Sequence, residues 1–159
     1  MVRKKTEREI NNQDRDLGKR DLIEIRIPSK SEYVSVVRLT ASGIANRLGF
    51  SYEDIEDIKI AVGEACVNCV QHAYPKRSDK DKIIVKFILN VSYLEIIVRD
   101  LGRGISQKTV EKYLDIEGKN KKGEQGFGIF LMESLMNEVN YNTGVTKGTE
   151  VRMKKYISR

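Results

Sequence analysis

Residues 83–100, "IIVKFILNVSYLEIIVRD", constrain the fold of this chain more than any other stretch. Two runs rich in β-branched residues are separated only by Asn90, Val91 and Ser92. A connection this short closes an antiparallel hairpin, because joining parallel strands takes a crossover of about a dozen residues or more. A regular alternation of strand and helix is therefore disfavoured, and with it a doubly wound nucleotide-binding sheet.

The flanking segments extend the pattern. "LIEIRIPS" alternates, places Ile23, Ile25 and Ile27 on one face, and stops at Pro28. Ser31 is placed to cap a helix in which Val34, Val37, Ala41, Ile44, Ala45 and Leu48 recur at helical spacing until Gly49. Ser51 with Asp54 resembles a capping box. Ile55, Ile58, Val62, Ala65 and Cys69 then form the apolar stripe of a second helix that must end before Pro75. After the hairpin, Ser106 is placed to cap a short helix through Leu114, and "DIEGKNKKGEQGFG" is a polar, glycine-rich loop. "IFLMESLMNEV" is an apolar helix, and "VNYN" and "GTEVRMKKY" are two last strands. The order predicts an α+β two-layer sandwich, with a mixed, largely antiparallel sheet and helices on one face.

Composition narrows the function classes. With 159 residues and 40% hydrophobic residues, the chain can bury a core as one domain over residues 21–159. Residues 1–20 read as a charged, flexible extension and not as a signal peptide. This stretch holds seven Lys/Arg and four Asp/Glu, so half of the net charge of +6 lies in it. The remainder is only mildly basic and shows no nucleic-acid-binding module, so no direct nucleic-acid partner is expected. No apolar run approaches the roughly 20 residues of a membrane span. Two cysteines make no disulfide framework, and a cytoplasmic protein with reduced thiols is expected.

Three motifs bear on chemistry. In "EACVNCVQHAY", Glu64 and Asn68 lie four residues apart, on one helix face at the shoulder of the apolar stripe. "DLGRGI" ends a strand with Asp100, a carboxylate able to accept from an exocyclic amine such as that of adenine. Gly102 and Gly104 follow it and would let the backbone approach a flat ligand. "GEQGFGIFLMESL" places Gly123, Gly126 and Gly128 at a helix start, where free backbone N–H groups meet phosphate. The spacing is neither the dinucleotide fingerprint nor a Walker loop. Taken singly, each motif is equally a solvated helix face, a turn or a flexible loop. The same helix also carries Cys66, Cys69 and His72, which have the look of a metal site. The chain has no further Cys or His to complete a zinc set, so the cysteines read as small core residues.

The ordered set is specific. E-x-x-x-N on a helix, D-x-G-x-G after a strand, a glycine segment opening a helix and "KGTEV" before the last strand resemble the histidine-kinase-like (GHKL) ATPase superfamily over about residues 21–157. Within it, "EYVSVVRLTASGIANRLGFSYEDIEDIKIAVGEACVNCVQHAY" and "GFGIFLMESLMNEV" resemble the anti-sigma factor serine kinases, best the sigma-B general-stress type, with the sporulation sigma-F type a near relative. The resemblance implies ATP and Mg²⁺ as cofactors, and phosphorylation of a serine on a STAS-type anti-anti-sigma protein. It also implies a sigma factor as second partner and a homodimer formed around the first helix. Glu64 would be the general base and Asn68 the Mg²⁺ ligand. Asp100 would bind the adenine amine, with Gly102 and Gly104 shaping that pocket and Thr149 supporting it. Gly126 and Gly128 would contact phosphates, Gly123 would hinge the lid, and Arg38 would face a protein partner. Lys119, Lys121 and Lys122 could reach phosphates or simply be solvated.

There are departures. Gly63 stands where a serine is usual before the glutamate, Cys69 where an alanine is usual, and the lid is short and lysine-rich. The rival readings are an ATP-binding anti-sigma module without kinase activity, the catalytic domain of a histidine kinase, and a metalloprotein.

Overall fold

The computed structural model describes residues 20–104, 108, 111, 124–142 and 147–158. Strands β1 (Asp21–Pro28), β2 (Lys82–Leu89), β3 (Tyr93–Asp100), β4 (Glu138–Asn142) and β5 (Glu150–Tyr156) form one sheet in the order β1-β2-β3-β5-β4. Every neighbouring pair is antiparallel, so the sheet contains no parallel pair among the described residues and is not mixed. Helices α1 (Val34–Leu48), α2 (Tyr52–Asn68) and α3 (Glu124–Leu135) pack as one layer, with α2 between the other two. The predicted two-layer sandwich is the fold observed.

Strand alternation builds the core. Ile83, Val85 and Phe87 of β2, Leu94, Ile96 and Val98 of β3, and Met153 of β5 are buried on the face beneath the helices. They meet Val37 and Ala41 of α1, Ile58, Val62 and Ala65 of α2, and Met132 of α3. The opposite face is polar and laced with ion pairs, among them Lys86–Glu24, Arg152–Glu95 and Lys154–Glu138. Lys155 points to the helix side and is buried. Its Nζ lies 2.9 Å from Asp57 Oδ2 and 3.4 Å from Asp54 Oδ1, and donates to Leu135 O at 2.6 Å. One cation thus fastens the start of α2 and an orphan carbonyl at the end of α3 to β5.

Several local expectations shift. Ser31 does not cap α1. Lys30 holds the extended flanking position, and Ser31–Tyr33 form a 3₁₀ turn ahead of the helix. Ser51 does cap α2, accepting from Asp54 N at 3.1 Å while its hydroxyl donates to the Asp54 carboxylate. Along β1, Ile27 is buried but Ile23 is 37% exposed, because the helix layer stops short of this end of the edge strand. Beyond Asn68, α2 continues as a π-helical turn, Cys69–Ala73, and the chain leaves the helix at Tyr74. The last helix begins at Glu124 and ends at Leu135, so Gly126 and Gly128 lie inside it and Val139 belongs to β4. Ser106, the lysine-rich loop with Lys119, Lys121 and Lys122, Gly123, and residues 1–19 lie outside the described residues.

Candidate functional site

Helix α2 carries the chemistry-bearing residues because its sequence places apolar and polar positions one turn apart. Ala61, Val62, Ala65 and Cys66 are buried, while Glu64 and Asn68 are half-buried at the helix shoulder. Both reach toward α3. A Cβ placed on Gly128 would lie 2.8 Å from Glu64 Oε2 and 3.6 Å from Asn68 Oδ1. The absent side chain of Gly128 is therefore the space that the Glu64 carboxylate and the Asn68 amide share. Gly126 falls in the first turn of α3, among the four N–H groups that a helix leaves without an internal acceptor. Gly128 is two residues further in, where its N–H belongs to the helical ladder and its backbone lines the Glu64–Asn68 side.

A second cluster forms where β3 ends and β5 begins. Arg99 pairs with Glu150, which brings Asp100 beside Thr149. Asp100 is 4% exposed. Its Oδ1 accepts from Gly102 N at 2.9 Å and from Thr149 N at 3.3 Å. Burial pushes its carboxyl above the ordinary aspartate range, against the donors at Gly102, Cys69 and Thr149, which favour the ionised form. Because Oδ1 is committed to backbone donors, Oδ2 keeps acceptor capacity for a ligand amine. Gly104 and Gly148 are both left-handed, at φ 77° and 85°, which side chains rarely tolerate. A Cβ on Gly104 would approach Gly148 O to 2.9 Å, and one on Gly148 would overlap the Asp100 carbonyl.

The π-helical end of α2 forms the wall of this cluster. Ala73 O accepts from Arg103 N at 2.9 Å, and a Cβ on Gly102 would overlap that same carbonyl. Tyr74 OH donates to Lys82 O at 2.7 Å and accepts from Leu101 N at 2.9 Å, tying the turn to β2. The Cys69 thiol is pushed well above its usual range, first by burial and then by the Asp100 charge, so it stays protonated as a donor toward Asp100. Asn68 and Cys69 are chain neighbours, so α2 joins the two clusters into one site.

Arg38, on α1, reaches a different part of α2. Its guanidinium packs against Gly63, and a Cβ there would come within 2.6 Å of Nη2 and 2.8 Å of Cζ. Cys66 and Cys69 are both free and buried. No group of three His, Cys, Asp or Glu side chains placed to hold a metal occurs among the described residues. Mg²⁺ needs no such cage, since it keeps waters and takes phosphate oxygens, and one amide oxygen facing the open flank of Gly128 fits it.

The sequence brings Glu64, Asn68 and Gly128 together in one cluster, and Asp100, Gly102, Gly104 and Thr149 in another. Tyr74, the Ala73 carbonyl, Gly148 and the Cys69 thiol complete the second cluster, and the sequence alone does not place them there. Tyr74 and Cys69 lie inside "EACVNCVQHAY" and Gly148 inside "KGTEV", but nothing in those strings shows what they meet across the fold.

Comparison with known proteins agrees with this geometry. The family of the histidine kinase-like ATPase domain matches residues 27–155. Serine-protein kinase RsbW of Bacillus pumilus is 44% identical over 146 residues, covering 87% of this chain and 88% of that protein. The same kinase of Bacillus licheniformis is 43% identical over 143 residues, with 87% and 88% covered. Among solved structures, the RsbU and RsbW domains of Rv1364c from Mycobacterium tuberculosis superpose with a TM-score of 0.64 at 22% identity. That match covers 87% of this chain and 33% of that one, and supports the fold. No helix among the described residues is long and apolar enough to cross a membrane. On the matched domain and the identity to kinases of nearly equal length, the chain belongs to the RsbW serine-protein kinases, built on the histidine kinase-like ATPase domain.

Proposed function

We propose that this chain is an anti-sigma factor and ATP-dependent serine kinase of the sigma-B type. It holds a sigma factor and transfers the γ-phosphoryl group of ATP to a serine of a STAS-type anti-anti-sigma protein. The carrying observation is the convergence of Glu64 Oε2 and Asn68 Oδ1 on the side-chain-free flank of Gly128. A carboxylate and an amide oxygen, half-buried one helical turn apart, form a base beside a hard-metal ligand.

In this reading Glu64 accepts the proton of the serine hydroxyl as its oxygen bonds to the γ-phosphorus and the bond to the ADP oxygen breaks. Asn68 holds Mg²⁺, which when bound neutralises phosphate charge. Asp100 takes the adenine amine on Oδ2, Gly102 and Gly104 let the base approach the backbone, and Thr149 supports the pocket. Gly126 offers a first-turn N–H to phosphate, and Gly123 serves as the hinge of the lid. Arg38 faces a protein partner. Leu39 is 72% exposed on α1, with Val36 and the β1 residues Leu22 and Ile23 also exposed, which supports homodimerisation through this region. The protein acts in the cytoplasm, without direct contact to nucleic acid.

The test mixes the protein with radiolabelled ATP and a purified STAS-type anti-anti-sigma protein. Wild type labels a serine. Glu64→Ala lowers the transfer rate by about 10²–10⁴-fold, the usual share of a general base, while ATP still binds. Binding of the STAS protein without serine labelling by the wild type would overturn the kinase reading, and an unchanged rate in Glu64→Ala would overturn the base assignment.

A further inference from the structure

Pairing between β2 and β3 stops beside Asp100, and a side chain stops it. On its β1 side β2 pairs from Lys82 onward, opposite Pro28. On its β3 side pairing starts one residue later, at Ile83 opposite Asp100. Asp100 N donates to Thr149 O at 3.1 Å, toward β5. Alternation along the strand turns the next N–H, that of Leu101, back toward β2, where Lys82 O stands opposite. A continuing ladder would join those two groups directly. The Tyr74 hydroxyl stands between them instead, accepting from Leu101 N at 2.9 Å and donating to Lys82 O at 2.7 Å.

Tyr74 reaches this place because of how the helix before it ends. The π-helical turn Cys69–Ala73 gives way at Tyr74 to extended backbone, at φ −121° and ψ 91°, the region to which Pro75 restricts the residue before it. Burial pushes the phenol above its usual range, so the hydroxyl keeps the proton that it donates to Lys82 O. The consequence falls on the chain after β3. Three successive N–H groups there go to three different acceptors: Leu101 to Tyr74 Oη, Gly102 to Asp100 Oδ1 at 2.9 Å, and Arg103 to Ala73 O at 2.9 Å. The first and third acceptors belong to consecutive residues at the end of the π-helical turn. The middle bond, with Thr149 N at 3.3 Å, is what orients the Asp100 carboxylate. A chain that stayed in the ladder past Leu101 could not turn Gly102 N back to Oδ1.

We infer that Tyr74 is a positioning residue for adenine recognition: its hydroxyl, set between Lys82 O and Leu101 N, diverts the chain out of the sheet so that Gly102 N holds the Asp100 carboxylate ready for the exocyclic amine of the nucleotide. This rests on the reading of Asp100 as the acceptor of that amine. Tyr74 itself touches no nucleotide and acts only through the turn.

The experiment compares wild type, Tyr74→Phe, Asp100→Asn and the double variant. Phenylalanine keeps the ring between the strands, so the ladder cannot close over the missing hydroxyl. Deuterium exchange of the Leu101 amide, followed by NMR, reads the bridge directly and should be at least about tenfold faster in Tyr74→Phe. Titration with ATP and with purine riboside triphosphate, which lacks the exocyclic amine, reads the consequence. The wild type prefers ATP by about 10–100-fold, the worth of a hydrogen bond to a charged group. Tyr74→Phe raises the ATP Kd about five- to twentyfold and leaves that of the analogue within about twofold, because only the bond to the amine is disturbed. The double variant binds ATP no worse than Asp100→Asn, since the tyrosine acts through the carboxylate. Unchanged exchange at Leu101, additive losses in the double variant, or equal loss of both nucleotides in Tyr74→Phe would each overturn the proposal, the last showing a tyrosine that only holds the fold. If the wild type prefers ATP and Tyr74→Phe keeps the full preference, this proposal alone fails. If the wild type binds the two nucleotides equally, the reading of Asp100 fails and takes the proposal with it.

Discussion

Gly128→Ala separates packing from chemistry in one substitution. The new Cβ would stand 2.8 Å from Glu64 Oε2 and 3.8 Å from Glu64 Cβ, and the remaining near contact is Asn68 Oδ1 at 3.6 Å. Only the first is too close. The carboxylate oxygen must retreat by about 0.5–1 Å to reach ordinary contact distance, and it can, being the free end of a side chain. Folding therefore loses little, and replacing glycine by alanine inside α3 contributes about 0.5–1 kcal/mol of helix propensity. For a chain of this size that is about 1–4 °C upward in Tm. Chemistry behaves differently. Displacing a reacting group by about 1 Å can cost on the order of 10²-fold, so kcat for serine phosphorylation should fall about 10–100-fold. ATP affinity should change by no more than about threefold, because Asn68 is left at ordinary contact distance. Thermal denaturation, fluorescent-nucleotide titration and single-turnover labelling read the three quantities. An unchanged kcat would refute the placement of Glu64. A drop in Tm of more than about 5 °C would show that the glycine serves helix packing instead.

The remaining expectations concern the other parts of the site and its scaffold. Asn68→Ala should abolish Mg²⁺-dependent ATP binding in a titration with and without the metal, while the far-ultraviolet circular dichroism stays that of the wild type. Burial raises the Asp100 carboxyl above the 3.8 of an ordinary aspartate. It therefore gains its proton at a higher pH on acidification, and ATP affinity should begin to fall there, whereas Asp100→Asn should bind weakly with a flat profile. The sign for stability is the reverse, since a group that holds its proton more tightly when folded contributes stability below its unfolded value and loses it as pH rises through the folded one. Lys155→Met strands Asp54, Asp57 and the Leu135 carbonyl. It should cost about 2–4 kcal/mol in denaturant unfolding, and a cost below about 1 kcal/mol would show that water replaces the ammonium.

What the sequence discloses follows the range of the interactions involved. The hairpin is legible because its connection is three residues long and each strand alternates, and both are local facts. The stripe from Ile55 to Cys69 is legible for the same reason, and all five residues are buried. Ile23 shares the alternation of Ile27 yet is exposed, since coverage of an edge strand depends on where the helix layer ends. The E-x-x-x-N spacing places Glu64 and Asn68 on one face, but their meeting with Gly128 depends on how α2 packs against α3. Tyr74 accepts from a backbone donor 27 residues away, and no local pattern announces that contact. The glycines of "GEQGFG" read as loop because glycine is a poor helix former, whereas packing draws Gly126 and Gly128 into α3. Cys66, Cys69 and His72 form the most prominent local pattern, yet the two thiols have different surroundings, the Arg38 charge acting on Cys66 and Asp100 accepting from Cys69.

The two glycines around Glu64 explain how opposite charges can stand near each other on α2 without cancelling. Gly128 gives the Glu64 carboxylate room on the α3 side, and Gly63 gives the Arg38 guanidinium room on the α1 side. Positions 63 and 64 point about 100° apart around the helix, and no Arg38–Glu64 ion pair occurs among the described residues. Pairing would weaken the carboxylate, because one bound to a guanidinium is a poorer base. Filling either glycine with a methyl group therefore does more than crowd one side chain. It drives a charged group out of its own sector, Glu64 from the flank of Gly128 or Arg38 from the flank of Gly63.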